Sequence, residues 1–400
     1  MKDGDIKKQI NKIVNETNRS DWPLIKFDKI AFNISERVEP KDTDAEVYIG
    51  LEHIDPDSIH IRRTGVPSDV EGTKLKVYKG DVIFGKRRAY QRKAAIANFD
   101  GICSAHAMVL RANPDIIDPD LFPFFIHSDV FMNRAVDISE GSLSPTIKWK
   151  ILSEQKFRLP PRLLQKKLAD LLFAVDEVEE LYRQAYQDFL IFRKSFYKDI
   201  FSKIKTKCEL GDLPINTIGG LWKSEESDTL QVKIIRSTEF SNFGEMDLSK
   251  LEPMSVLRKQ FEKSKLLLND IIIERSGGSP DQPVGRVCLF DLLDSDYSFS
   301  NFTSAIRVLD KEVILPKYLF LFLLYYYEIG GTDRIQKQTT GIRNLDYDMY
   351  KRIKIPLPTV EEQKIIVEHI EKIEDLRREI SNLITKERSI KESLINRIFI

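Results

Sequence analysis

The sequence predicts an α+β chain written twice: two similar domains of short strands, separated by two long antiparallel coiled-coil helices, in a pseudo-two-fold internal repeat. Three observations predict it. The stretch from Pro160 to Ser202, "PPRLLQKKLADLLFAVDEVEELYRQAYQDFLIFRKSFYKDIFS", has the apolar periodicity of one long helix. The stretch from Pro358 to Phe399, "PTVEEQKIIVEHIEKIEDLRREISNLITKERSIKESLINRIF", lies over it at a constant offset of 198 residues. Gln363 then falls on Gln165, Lys364 on Lys166, Ser393 on Ser195 and Phe399 on Phe201. Finally, the segments upstream of the two helices also correspond, in the same order.

Taken along the chain, residues 1–20 read as a short amphipathic helix built on Ile6, Ile10, Ile13 and Val14, with no apolar signal-peptide core. Residues 21–157 form the first domain, 158–204 the first long helix, 205–356 the second domain and 357–400 the second long helix. The entry strands agree: "IKFDKIAF" matches "CELGDLPI", and "YIGLEHI" at Tyr48 faces "VKIIRSTEF" at Val232. The segment beginning "GDVIFGKRRAYQRKAAIANF" at Gly80 matches "NDIIIERSGGSPDQPVGRVCLF" at Asn269, each a strand, a loop and more strands. Before the helices stand "GSLSPTIKWKILSEQKFRLPP" and "GIRNLDYDMYKRIKIPLP", each with a β-like run and a proline exit. Two copies are too few for a solenoid, so the pattern is that of a pseudo-dimer.

The seam residues set the expected geometry. Leu164, Leu168, Leu171, Val175, Val178, Tyr182, Ala185, Phe189, Phe192 and Phe196 alternate spacings of four and three, a heptad seam that wants a partner helix. Ile366, His369, Ile373, Leu376, Ile380, Leu383, Glu387, Ile390 and Leu394 follow the same rhythm. The first helix carries the chain from one domain to the other, so a partner beginning at the second domain must run back antiparallel. At ~1.5 Å per residue such helices are spacers of about 60 Å.

Composition narrows the function classes. With 62 basic and 62 acidic residues the formal net charge is zero, which speaks against an overall basic binder but not against a local patch. Cys103, Cys208 and Cys288 lie far apart without a CxxC pair and read as reduced, buried side chains. The most apolar run, "YLFLFLLYYY" from Tyr318 to Tyr327, falls short of the ~20 residues that span a bilayer and reads as a buried helix. A soluble, cytoplasmic protein is expected.

One local patch stands out. Between Asp81 and Asp100 no carboxylate occurs, yet Lys86, Arg87, Arg88, Arg92 and Lys93 do, with Tyr90 among them. Several cations on a loop with no competing acid suit phosphate contact, although a solvated surface loop has the same composition. The corresponding place in the second half, "ERSGGSPDQPVGR", is less basic but glycine-rich, which either admits a phosphate close to the backbone or makes an ordinary long turn. Two related domains with non-identical loops fit two different half-sites on one duplex.

The order of elements, together with "GDVIFGKRR", "YIGLEHID", "IKWKILSEQKFRLPP", "LDYDMYKRIKIPLPTVEEQKIIVEHI" and the terminal "SLINRIF", resembles the DNA-specificity subunit of type I restriction–modification systems. The resemblance covers the chain after about residue 20. It implies two target recognition domains, one reading each half of a bipartite DNA sequence. It implies helices that dock methyltransferase subunits, with motor-nuclease restriction subunits as further partners. It implies adenine methylation with S-adenosylmethionine held by the partner, so that this chain binds no cofactor itself. On that basis the candidate DNA contacts are Lys86, Arg87, Arg88, Tyr90, Arg92, Lys93, Arg236, Arg275, Ser276 and Arg286. The candidate seam and partner residues are Leu164, Leu168, Leu171, Val175, Ile366, Ile373, Leu376 and Ile380.

No catalytic residue is expected. A glycine-rich S-adenosylmethionine loop, an Asn/Asp-Pro-Pro-aromatic motif and a GxxxxGK[ST] loop are all missing, and the five histidines lack metal-ligand spacing. Asp120, Glu154 and Lys156 can be forced into a metal-dependent phosphodiesterase pattern, but the "EQK" at Glu362 suits a helix N-terminus equally well. The residues alone leave open a coiled-coil protein adaptor and a self-sufficient nuclease.

Overall fold

The structure, a computed structural model, describes residues 8, 12, 19–221, 228–279, 282–293, 296–339 and 342–399. The amphipathic helix expected over residues 1–20 lies almost wholly outside the described residues. The chain divides into two compact units, residues 1–185 with 380–400, and residues 186–379. Each long helix, Arg162–Lys203 and Val360–Ile398, is therefore shared between units, because its two ends bury their apolar faces in different cores.

In the first unit, strand Leu24–Lys26 pairs antiparallel with Lys156–Arg158 and closes the domain at the helix entry. A four-stranded antiparallel sheet follows in the order Ala31–Ile34, Met108–Ala112, Val82–Phe84, Ala94–Ile96. A second sheet orders Arg37–Val38, Lys74–Val77, Gly101–Cys103 and Tyr48–Ile49, the last pair parallel. Helices Phe122–His127 and Asp129–Asp137 cover the first sheet with a cluster of rings, Phe27, Phe84, Phe125, Phe131 and Phe157, all fully or nearly buried.

The second unit repeats this plan. Lys207–Glu209 pairs with Lys354–Pro356, and the main sheet runs Ile215–Gly219, Thr303–Val308, Ile271–Glu274, Val287–Leu289. Its cover is the buried helix Pro316–Glu328, which contains the apolar run expected to be one. The second sheet differs: Pro253–Leu257 pairs with Thr229–Ile235, itself parallel to Tyr297–Phe299.

Side chains show why the halves spell the same motifs. Asp81 accepts from the Tyr78 N–H at 3.0 Å and from Arg111 Nε at 2.7 Å; Asp270 accepts from the Leu267 N–H at 2.8 Å and from Arg307 Nε at 2.8 Å. Buried Gln165 accepts from the Asp118 N–H and donates to the Ile116 and Pro160 carbonyls. Gln363 does the same with the Leu315 N–H and the Val313 and Pro358 carbonyls. Each glutamine fastens a helix entry to the loop before the covering helix, satisfying backbone groups that burial would otherwise leave unpaired.

The repeat at the far helix ends has the same logic. Phe399 meets Phe125 at 5.3 Å in the first unit, and Phe201 meets Phe322 at 5.1 Å in the second. Each unit thus takes the beginning of one helix copy and the end of the other, which is why the helix is written twice.

Within each unit the two helices pack on one another; the predicted seam is buried near the helix ends in the first unit, but farther along the contact line is displaced by one residue from it. Leu168, Leu171 and Val175 are buried and Leu164 half-buried, in the core of the first unit. Farther along, Phe192 is 50% exposed and Leu376 46% exposed, while Ile366, Ile373 and Ile380 are half-buried. The buried line instead passes through charged residues. In the first unit Lys391 Nζ lies 2.8 Å from Asp176 and 2.7 Å from Glu179. In the second, Arg193 pairs with Glu328 at 2.6 Å and with Glu374, and Arg377 binds Glu374 at 2.8 Å and also Glu245. Counting apolar residues misplaces the seam because a charge can be buried when an opposite charge meets it.

Candidate nucleic-acid interface

The loop from Gly85 to Lys93 joins the third and fourth strands of the first unit's main sheet, in chain position between Val82–Phe84 and Ala94–Ile96. Its backbone is held in an uncommon form: Arg88 has φ 58° and Arg92 φ 51°, flanking a short turn over Ala89–Gln91. Left-handed backbone at non-glycine residues is unfavourable and persists where surroundings over-determine it. Here the Arg88 N–H donates to the Pro145 carbonyl at 2.7 Å, and the Ile147 N–H donates to the Lys86 carbonyl at 2.9 Å.

The five cations divide by partner. Arg92 is half-buried: it binds Asp57 at 2.5 Å, Asp129 at 3.1 Å and the His127 carbonyl at 2.9 Å. Lys93 donates to the Leu51 carbonyl at 2.6 Å. Both side chains are engaged in holding the loop to the unit. Lys86, Arg87 and Arg88 have no carboxylate partner among the described residues. Arg87 reaches His106 Nε2 at 3.3 Å, and Arg88 reaches the Ser144 hydroxyl at 3.3 Å. Burial pulls the Lys86 ammonium below its usual range, and burial with nearby Arg87 and Lys86 does the same to His106. Tyr90 is 55% exposed on the same turn. The result is a pinned loop carrying uncompensated positive charge and an exposed ring.

The second unit presents a different version. Arg286 is buried, not projecting: it makes a two-pronged pair with Glu274 at 2.8 Å and donates to the Ser237 and Phe240 carbonyls at 3.0 Å. Burial opposes its charge, and the Glu274 hydrogen bonds outweigh that and raise its pKa. Arg236 is exposed but bound to Glu239 of its own turn at 2.9 Å. Each of these two arginines thus has a carboxylate as its counter-charge. The glycines also have local reasons: a side chain at Gly285, φ 109°, would meet Thr332 Cγ2 at 2.7 Å. Arg275 keeps its charge uncompensated and lies 4.3 Å over the Tyr347 ring. Ser276 begins a short strand, Ser276–Gly278, whose partner is Ile342–Leu345.

Sequence reasoning missed that partner. Strand Ile342–Leu345 also pairs with Gln336–Thr339, so a small three-stranded sheet stands where the first unit has only isolated bridges, Arg87 to Thr146 and Glu140 to Thr146. Arg334 and Arg343 on this segment lack carboxylate partners among the described residues. The signal was present in the contrast of "GSLSPTIKW" with "GIRNLDYDM".

The forced phosphodiesterase pattern is not assembled. Asp120 pairs with Lys166 at 2.9 Å and Glu154 with Lys26 at 2.5 Å, and no metal-holding cluster occurs among the described residues. Among the described residues no helix is long and apolar enough to cross a membrane.

Two units of one α+β plan, the first carrying a pinned basic loop, fit a protein that reads DNA. The chain belongs to the type I restriction modification DNA specificity domain family, which matches residues 47–187 and 205–387. It is 28% identical over 171 residues to the type I restriction enzyme EcoDI specificity subunit of Escherichia coli, covering 42% of this chain and 36% of that one. It is 22% identical over 217 residues to the putative MjaX specificity subunit of Methanocaldococcus jannaschii, covering 51% and 49%. The match thus spans a third to a half of these relatives' length. A chain from a structural study of type I R-M system assembly superimposes with a TM-score of 0.59 at 19% identity, covering 94% and 97%. The S subunit of a type I restriction-modification system from M. genitalium gives 0.51 at 14% identity, covering 95% and 96%. These two likenesses concern the fold.

Proposed function

We propose that this chain is a sequence-specific DNA-binding subunit that recognises a bipartite target and directs the adenine methyltransferase and restriction subunits of a type I restriction–modification complex. The observation that carries this reading is the pinned loop with uncompensated Lys86, Arg87 and Arg88, in a family defined by DNA specificity. Three cations without carboxylates have phosphate as their natural counter-charge. The chain itself is non-catalytic and binds no cofactor; S-adenosylmethionine belongs to the methyltransferase partner, and the complex works in the cytoplasm. Partner docking falls on apolar helix residues left uncovered, such as Leu181 at 64% exposure, Ile191 at 71% and Phe192 at 50%.

The test is binding of the full chain to duplex DNA across a range of salt. Affinity is expected to fall steeply with salt. Lys86→Ala, Arg87→Ala or Arg88→Ala should flatten that dependence by about 0.9 log unit for each phosphate no longer neutralised. Binding that ignores salt would remove the DNA reading. Methyl transfer from labelled S-adenosylmethionine by the isolated chain would remove the non-catalytic one.

A further inference from the structure

Resting on that reading, we propose that strands 336–339 and 342–345 of the second unit form a ribbon that enters the major groove, with Ile342 turned to the base edges and Arg275, Arg334 and Arg343 toward the phosphates.

The ribbon is regular. Thr339 pairs with Ile342 and Gln336 with Leu345 in unbroken antiparallel register, and Ser276–Gly278 supports one flank. Beyond the Gly278–Arg343 pair only two strands continue, through Thr339 and Ile342, and a two-stranded ribbon has the dimensions of the major groove, about 12 Å wide. Its base is fixed to the unit. The Leu345 N–H donates to the Arg275 carbonyl at 2.8 Å, and the Asp346 N–H to the Ile335 carbonyl at 2.8 Å. Tyr347 meets Thr217 through its hydroxyl at 2.9 Å and carries the Arg275 guanidinium on its ring. An element on a fixed base holds its side chains in register with a target.

Alternation along the strand sorts the residues. Leu345, buried in the unit's core, and Arg343 share one face; Ile342 belongs to the other. Arg343 therefore emerges on the protein side, opposite Gly278, which has no side chain to cover it. From there it flanks the groove with Arg275 and Arg334, all three without carboxylate partners among the described residues. Lys337, by contrast, is neutralised by Asp346 at 2.6 Å. Ile342 is 46% exposed, and the thymine 5-methyl is the apolar group a major groove offers such a side chain. Since the first unit builds no ribbon here, the two halves would read their half-sites with different backbones.

The experiment selects sites for the full chain from duplexes with a randomised core, then measures binding of each variant to the selected duplex. Arg343→Ala and Arg275→Ala are expected to weaken binding to all duplexes alike and to flatten the salt dependence. Ile342→Ala, on an exposed position, is expected to leave the salt dependence intact and lower preference at one A·T pair about three- to fivefold, as one methyl group left unburied implies. Replacing that thymine by uracil should lower wild-type affinity by the same factor and leave Ile342→Ala unaffected. If the wild type binds with salt dependence but ribbon variants and uracil change nothing, while Lys86, Arg87 or Arg88 variants do, the ribbon inference is wrong and the DNA reading survives. If the wild type binds no duplex, the DNA reading itself is wrong.

Discussion

Arg193→Met lowers the stability of the second unit by about 3–5 kcal/mol at neutral pH, and the loss shrinks as pH is lowered toward 5. Arg193 is 2% exposed and holds two carboxylates, Glu328 and Glu374, while its guanidinium lies 4.6 Å over the Tyr197 ring. Methionine keeps the unbranched aliphatic stem and lacks the guanidinium, so the charge, its hydrogen bonds and its stacking on Tyr197 are lost together and the carboxylates lose their main counter-ion. In the native unit burial opposes the charge on Glu374, but Arg193 and hydrogen bonds from Tyr197 and Arg377 outweigh it and hold its pKa low. That group adds stability above its unfolded pKa and loses it only in acid. Burial already raises Glu328, even beside Arg193. Without the arginine both carboxyls bind protons more readily than in the native unit, so the stability difference between variant and wild type narrows in acid. Hydrogen exchange of the helix 316–328 amides, at pH 7 and pH 5, reads this locally. Equal protection of variant and wild type at pH 7 would show that the buried ion cluster does not hold the helices to this unit.

The same cluster marks where the sequence was legible and where it was not. The repeat at Gln165 and Gln363, and at Phe201 and Phe399, announces two units of one plan, and the structure gives each pair one role. The helix Pro316–Glu328 follows from ten consecutive apolar or aromatic residues with no competing signal. The helix contact line does not follow, because Glu374 and Arg377 look like solvent-facing residues until Arg193 and Glu245 are brought to them. Those partners are distant in sequence, and periodicity carries no information about them. The candidate site divides in the same way. The cations of the loop are visible in the sequence, but which of them are already neutralised depends on Asp57, Asp129 and Glu274, placed by tertiary structure.

Phe131→Ala should cost the first unit about 3–5 kcal/mol and, on the proposed function, abolish discrimination in one half-site while sparing the other. Phe131 is fully buried, and its ring lies 5.3 Å from Phe27, 5.4 Å from Phe84, 5.6 Å from Phe125 and 5.7 Å from Phe157. Alanine leaves a cavity among rings that belong to two helices and two strands, which cannot all close on it. Phe131 also sits in the first turn of helix Asp129–Asp137, its N–H capped by Ser128. Asp129 in that turn binds Arg92 at 3.1 Å, and its N–H donates to Asn396 of the C-terminal helix at 2.8 Å. Loosening the turn frees Arg92, and with it the left-handed backbone that presents Lys86, Arg87 and Arg88. Emission of Trp149, whose ring lies 5.8 Å from Phe27 in the same cluster, follows unfolding of this unit directly. Site selection with the variant should then return one defined half-site and one degenerate one. Two intact half-sites from a measurably destabilised variant would show that loop presentation does not depend on this core.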